Sequence, residues 1–114
     1  MKDRALSEAE IRERLGGLSG WTHASNAIER KFTTEGWPAT LMLVNAIGFL
    51  CEAADHHPDL HVSWGGVTVR FNTHTAGGVS EKDFEIARKV DEVALWRPKG
   101  GALAGTTRKW VAGA

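Results

Sequence analysis

Apolar and polar positions along the chain fall into patterns that change period several times. Near the start, Leu6, Ile11, Leu15 and Leu18 recur at roughly helical spacing. Ser7 and Glu10 form a capping-box pair, and Gly16-Gly17 ends this short helix. From Ala27 to Phe32 the period becomes two. Ile28, Arg30 and Phe32 face one way and Glu29 and Lys31 the other, which predicts a strand. Gly36-Trp37-Pro38 then opens the longest helix, running to about Asp55, because proline is well placed in a first helical turn. Leu41, Val44, Ile47, Gly48 and Cys51 make its apolar face, widened by Leu43 and Leu50. Such a helix belongs in the core or at an oligomer interface. His57-Pro58 closes it, since the residue before proline avoids helical backbone angles.

Two further strands, Leu60–Trp64 and Val67–Thr73, flank Gly65-Gly66, a dipeptide suited to the positive φ angles of a two-residue hairpin. With those glycines as the loop, Trp64 faces Val67, Val62 faces Val69 and Leu60 faces Phe71, all apolar. The opposite side pairs Ser63 with Thr68, His61 with Arg70 and Asp59 with Asn72. A slip of one residue would mix the two faces. Extending this register puts His57 opposite His74, with Cβ atoms about 5 Å apart. After a Gly77-Gly78 loop, Ser80 and Asp83 start a last helix whose face is Phe84, Ala87, Val90 and Ala94. The Gly-, Lys- and Arg-rich remainder is expected to be a flexible tail unless Leu103 or Trp110 docks. The order is helix, strand, helix, strand, strand, helix. It predicts an α+β fold, one domain over residues 1–96 with an antiparallel sheet covered by helices on one face, and a tail over 97–114.

Composition narrows the function classes. The 114 residues are 42% apolar and 25% charged, with formal net charge zero. That suits a soluble globular domain with no electrostatic call for nucleic acid or an anionic membrane, and with little charge to oppose self-association. Cys51, the only cysteine, reads as a small buried hydrophobe. Residues 1–10 lack the apolar core of a secretory signal, and Asn45, Gly48 and Glu52 interrupt the Leu41–Ala54 run that would have to span a bilayer. The expectation is a cytoplasmic protein.

Chemistry concentrates where the helix end meets the hairpin ends. His56, His57 and His74 converge there with Glu52 and Asp55. Histidine titrates near neutral pH, so such a cluster suits a reaction in which one group gives a proton and another takes one. Taken alone, His56-His57 reads as a polar helix cap. A zinc site of His56, His57, His74 and Asp55 lacks the usual ligand patterns, and Pro58 argues against a helical His57/His61 metal pair. No metal is expected. His23 reads as a loop residue, His61 as a surface strand residue. No phosphate-binding glycine loop or nucleophile elbow is present.

Glu52-x-x-x-His56-His57-Pro58, then Trp64, Thr73-His74 and Asp83, resembles the pterin-4a-carbinolamine dehydratase family. Gly20-Trp21, Gly77-Gly78-Val79-Ser80 and Ala87-x-x-Val90-Asp91 fit as well. The resemblance covers about Leu15 to Leu95. It implies dehydration of a 4a-hydroxytetrahydropterin to a quinonoid dihydropterin, recycling the pterin of aromatic amino acid hydroxylases without a cofactor. It implies His56 and His74 as acid–base catalysts, His57 as a substrate holder, and Asp55, Asn72, Thr73 and Thr75 as pterin contacts. Glu52, Pro58 and Asp83 of the motif complete the expected substrate site. It also implies a homodimer or homotetramer. One branch resembling this fold acts as a Rubisco assembly factor, and the basic, Trp-containing tail makes that protein-binding role the alternative.

Overall fold

The computed structural model describes residues 3–114, so the first two residues of the expected 1–96 domain, and of the stretch in which no secretory signal was expected, lie outside it. Helix α1 (Glu8–Leu15) is capped as its sequence implies. Ser7 Oγ accepts from Glu10 N at 3.2 Å, and the Glu10 carboxylate accepts from Ser7 N at 2.9 Å. Strand β1 (Thr22–Ala24) is an element the apolar pattern did not reveal, because three residues are too few to show a period. It pairs with β2 (Ala27–Thr33) across Ser25-Asn26, whose φ values of 47° and 64° are those of a tight hairpin turn.

Helix α2 (Trp37–Ala54) carries Pro38 in its first turn. It stops at Asp55, which takes the left-handed conformation (φ 53°, ψ 43°) that aspartate tolerates better than most residues. The helix therefore ends before the restriction imposed by Pro58 applies. Its buried seam is Leu43, Ile47 and Cys51, one residue per turn. Leu41 and Gly48, expected in that seam, face outward. By length and composition α2 is apolar enough to cross a membrane, and its Leu43, Ile47 and Cys51 seam packs into the core cluster.

Strands β3 (Asp59–Ser63) and β4 (Gly66–Phe71) form the second hairpin, and the antiparallel sheet has the order β1-β2-β4-β3. Its register corrects the expected one. Ser63 pairs with Gly66, Val62 with Val67, Leu60 with Val69 and Asp59 with Arg70. Trp64-Gly65 is thus the loop rather than Gly65-Gly66, and neither glycine has positive φ. The shift is two residues, so every side chain keeps its expected face while its partner changes: His61 lies against Thr68, not Arg70. Gly66 is dictated by proximity, since a Cβ there would stand 3.0 Å from Phe32 O on β2. A Gly65-Gly66 loop would pull that close approach out of the sheet.

On the core face, Ile28, Phe32, Val67, Val69 and Phe71 meet Leu43, Ile47 and Cys51 of α2 and Phe84, Ile86, Ala87 and Val90 of α3 (Glu81–Ala94). Each fully buried side chain of this size contributes roughly 1.5–3 kcal/mol. Arg30 points to the same face and is compensated. Its guanidinium meets Asp91 at 3.2 Å, donates to Ser19 O at 3.1 Å and lies over the Phe32 ring. Trp21 Nε1 also donates to Asp91, at 3.0 Å. Burial nevertheless pushes the Asp91 carboxyl up, against the pull of Trp21 and Arg30.

The tail docks. Val111 bridges Thr34, Ala112 N donates to Thr33 O at 2.9 Å, and Glu35 N donates to Trp110 O at 3.1 Å. Val111 joins the core cluster and Trp110 packs on it. Arg97 holds the tail's path by donating to Thr106 O at 3.1 Å and to Arg108 O. An apolar groove of about 440 Å³ lies between the tail, α2 and the end of α3, lined by Met42, Ala46, Trp96 and Leu103 among others.

Candidate functional site

The site is built on the capping chemistry of α3. Ser80 precedes the helix, and Asp83, in its first turn, turns a carboxylate back onto Ser80 N at 2.9 Å. The same Asp83 Oδ2 accepts from Thr73 Oγ1 at 2.9 Å, just past β4. Because the Thr73 proton goes to Asp83, the 2.7 Å contact between the Thr73 and Ser80 hydroxyls has Ser80 as donor. Lys82 N in turn donates to Ser80 Oγ at 3.3 Å. Asp83 has no solvent exposure. A buried carboxylate is tolerable only with such a full set of donors.

The remaining oxygen of Asp83 meets His56. Nε2 of His56 and Oδ1 of Asp83 are 2.6 Å apart. A buried carboxylate accepts, so Nε2 carries the proton and Nδ1 is left to work. Among the described residues, Trp110 Nε1 is the only buried side-chain nitrogen or oxygen without a partner. Nδ1 of His56 has no hydrogen-bond partner among the described residues, and the side chain is 14% exposed. The His56 ring also stacks on Phe71, centroids 6.0 Å apart and planes at 15°, and Phe71 stacks on Trp21 at 6.0 Å and 28°. The imidazole is fixed by a carboxylate at one edge and an aromatic ring on one face.

His57, next in the chain, has a different setting. Its Nε2 lies 2.8 Å from Glu52 Oε1 one turn back along α2, and both side chains are exposed. Asp55 is exposed at the helix end, and Pro58 and Asn72 are half-buried. His74 is exposed at the first position of a short 3-10 turn (His74–Ala76) after Thr73. The corrected register does not set it opposite His57: continued past Asp59 and Arg70, the pairing brings His57 to Asn72. His74 instead directly follows Thr73, whose hydroxyl shares Asp83 with His56.

Three residues of the expected substrate site are already engaged within the chain. Thr73 and Asp83 are buried, Thr73 donating to Asp83 Oδ2 while Asp83 Oδ1 meets His56, so both are engaged within the chain. Thr75 is exposed but already engaged, donating to Asp3 at 2.8 Å. Ser80 belongs to the network and was missed as a site residue, although the capping pattern that identified the helix start already coupled it to Asp83. Cys51 is buried, and burial pushes its thiol up to about 11, which makes it a packing residue. The groove beside the tail shares no residue with the histidine set.

Residues 4–93 match the family described as pterin 4 alpha carbinolamine dehydratase. The chain belongs to that family. It is 47% identical over 88 residues to a protein of Roseiflexus sp. (strain RS-1), covering 77% of this chain and 95% of that one. It is 44% identical over 90 residues to a protein of Aquifex aeolicus (strain VF5), covering 79% and 91%. Both relatives are provisionally named pterin-4-alpha-carbinolamine dehydratase. Among solved structures it resembles a transcriptional coactivator/pterin dehydratase from Brucella melitensis, with TM-score 0.75 and 30% identity over 79% of this chain and 98% of that one. Every expected site residue of this dehydratase-family chain lies inside the matched stretch, whereas Asp3 and the docked tail lie outside it.

Proposed function

We propose that the chain dehydrates a 4a-hydroxytetrahydropterin to the quinonoid dihydropterin, in the cytoplasm, with no metal or organic cofactor. The observation that carries this reading is the His56–Asp83 pair, an acid–base histidine oriented by a buried, fully satisfied carboxylate. In the reaction the C4a–O bond breaks with its electron pair going to oxygen, which takes up a proton and leaves as water. The N5–H proton departs to a base, and C4a=N5 forms. His56, working through Nδ1, and His74 divide these two transfers, each of a kind worth about 10²–10⁴-fold. His57, held by Glu52, contacts the substrate, with Asp55, Pro58 and Asn72 beside it. Recycling the pterin of an aromatic amino acid hydroxylase is the role that fits this reaction.

The same reading includes a homo-oligomer. Phe49 is 74% exposed and Met42 48% exposed on the outer face of α2, more apolar surface than a lone domain usually presents. The alternative, a Rubisco assembly factor, drew on a free basic tail. Trp110 and Val111 pack on their own chain instead, which counts against it.

The purified full chain should accelerate dehydration of 4a-hydroxytetrahydropterin above its spontaneous rate, and the His56→Ala/His74→Ala double variant should lose that acceleration. A wild-type rate equal to the spontaneous one would remove the reading.

A further inference from the structure

His74 stands on a turn that the sheet does not hold. Pairing of β4 ends at Phe71 against Ile28 and at Arg70 against Asp59. Beyond that point the turn closes on itself through local bonds, among them Gly77 N to His74 O at 3.1 Å and Gly78 N to Thr73 O at 3.3 Å. Two outside elements clamp it. From the β1–β2 hairpin, Asn26 Nδ2 donates to Gly77 O at 3.1 Å. From the N-terminal segment, Leu6 N donates to Val79 O at 2.8 Å, with the Leu6 side chain in the core.

The N-terminal segment makes one more contact. Asp3 Oδ2 accepts from Thr75 Oγ1 at 2.8 Å and meets Lys82 Nζ at 3.0 Å. Thr75 follows His74, and Lys82 precedes Asp83. One carboxylate thus joins the turn that carries one histidine to the helix start that orients the other. The Lys82 ammonium first, and the Thr75 hydroxyl second, hold the Asp3 carboxyl below its usual range.

We propose that Asp3 is a positioning residue, latching the His74 turn to the start of α3. Its effect on turnover rests on the dehydratase reading; its effect on the turn does not. An exposed ion pair adds little to global stability, yet it can decide how often a weakly held turn opens. A displacement of about 1 Å in a reacting group can cost up to about 10² in rate.

Three variants of the full chain test this: Asp3→Ala, Asp3→Asn, whose amide oxygen can still accept from Thr75, and Arg4→Ala. Arg4 pairs with Glu10 in the same segment and does not touch the turn. The measurements are amide hydrogen exchange at Gly77 and Gly78, and kcat and KM on 4a-hydroxytetrahydropterin. Asp3→Ala should speed exchange about tenfold and lower kcat roughly three- to tenfold. Asp3→Asn should recover most of both losses, and Arg4→Ala should change neither. Unchanged exchange in Asp3→Ala would overturn the latch, as would faster exchange with unchanged kcat, or Arg4→Ala behaving like Asp3→Ala. Should the wild type fail to turn over the pterin, the dehydratase reading falls, and the exchange at Gly77 and Gly78 alone decides for or against the latch.

Discussion

His56 and His57 are neighbours in sequence, and each meets a carboxylate at nearly the same distance, 2.6 Å to Asp83 and 2.8 Å to Glu52. Their surroundings are opposite. The side chains of His56 and Asp83 are 14% and 0% exposed, those of His57 and Glu52 57% and 81%. Water competes for the second pair and screens it, so its net worth is small. The first pair is sealed behind Phe71, Thr73 and Ser80, where losing one partner leaves a polar group stranded. Bond length alone would rank the pairs as equals. Burial separates a fixed ring suited to proton transfer from a solvated one suited to meeting a ligand.

The contrast is sharpest when the carboxylates are removed. Asp83→Ala should destabilise the fold by about 3–5 kcal/mol, because His56, Thr73 and Ser80 N all lose their acceptor. Glu52→Ala should stay within about 0.5 kcal/mol of wild type in urea unfolding. Equal losses would show that the two pairs do not differ as their burial implies. For the histidines, His56→Ala should lower kcat about 10²-fold or more, whereas His57→Ala should act mainly through KM. A kcat effect of the same size for both would break the division of roles.

A smaller effect should come from a change that leaves both pairs intact. Deleting residues 97–114 strips Val111 and Trp110 from the core edge. It should cost about 2–3 kcal/mol while turnover per folded molecule stays near wild type. A truncated chain that is folded but inactive would tie the tail to the site.

The smallest expected effect concerns Glu10, a half-buried carboxylate at the start of α1. Arg4 first, and the Ser7 backbone N–H second, lower Glu10 from an ordinary 4.5 to about 2. A carboxylate depressed in the folded state stabilises above its unfolded pKa, and that contribution fades as pH falls through the folded value. Glu10→Gln should therefore flatten the stability curve between pH 4.5 and about 2. An unaltered acid limb would mean that Arg4 does not hold this carboxylate in solution.

The sequence made the helices, their caps and the sheet faces legible because periodicity and capping are local. The β3–β4 register was not fully legible. Alternation fixes only which face a residue takes, so a shift of two residues preserved every apolar pair's side and moved every partner. What selected the true pairing was Gly66 lying against Phe32 O, a contact from a strand more than thirty positions away. Strand β1 was too short to announce itself, though Asn26 in its turn was a signal. At the site, residue types and spacing pointed to the histidines. They could not show that Asp83 and Thr73 sit behind His56, since that depends on packing and not on spacing.

The stack of Trp21, Phe71 and His56 means that an interior wall and the imidazole proposed to move a proton share one neighbour. Selection acting on packing at position 71 and selection acting on proton transfer are therefore not independent. A replacement such as Phe71→Leu, mild by volume alone, would tilt the imidazole it supports and surface as a kinetic defect. Drift in this part of the interior should accordingly be slower than at Val67 or Val69, which are equally buried on the same strand but have no place in the stack with His56.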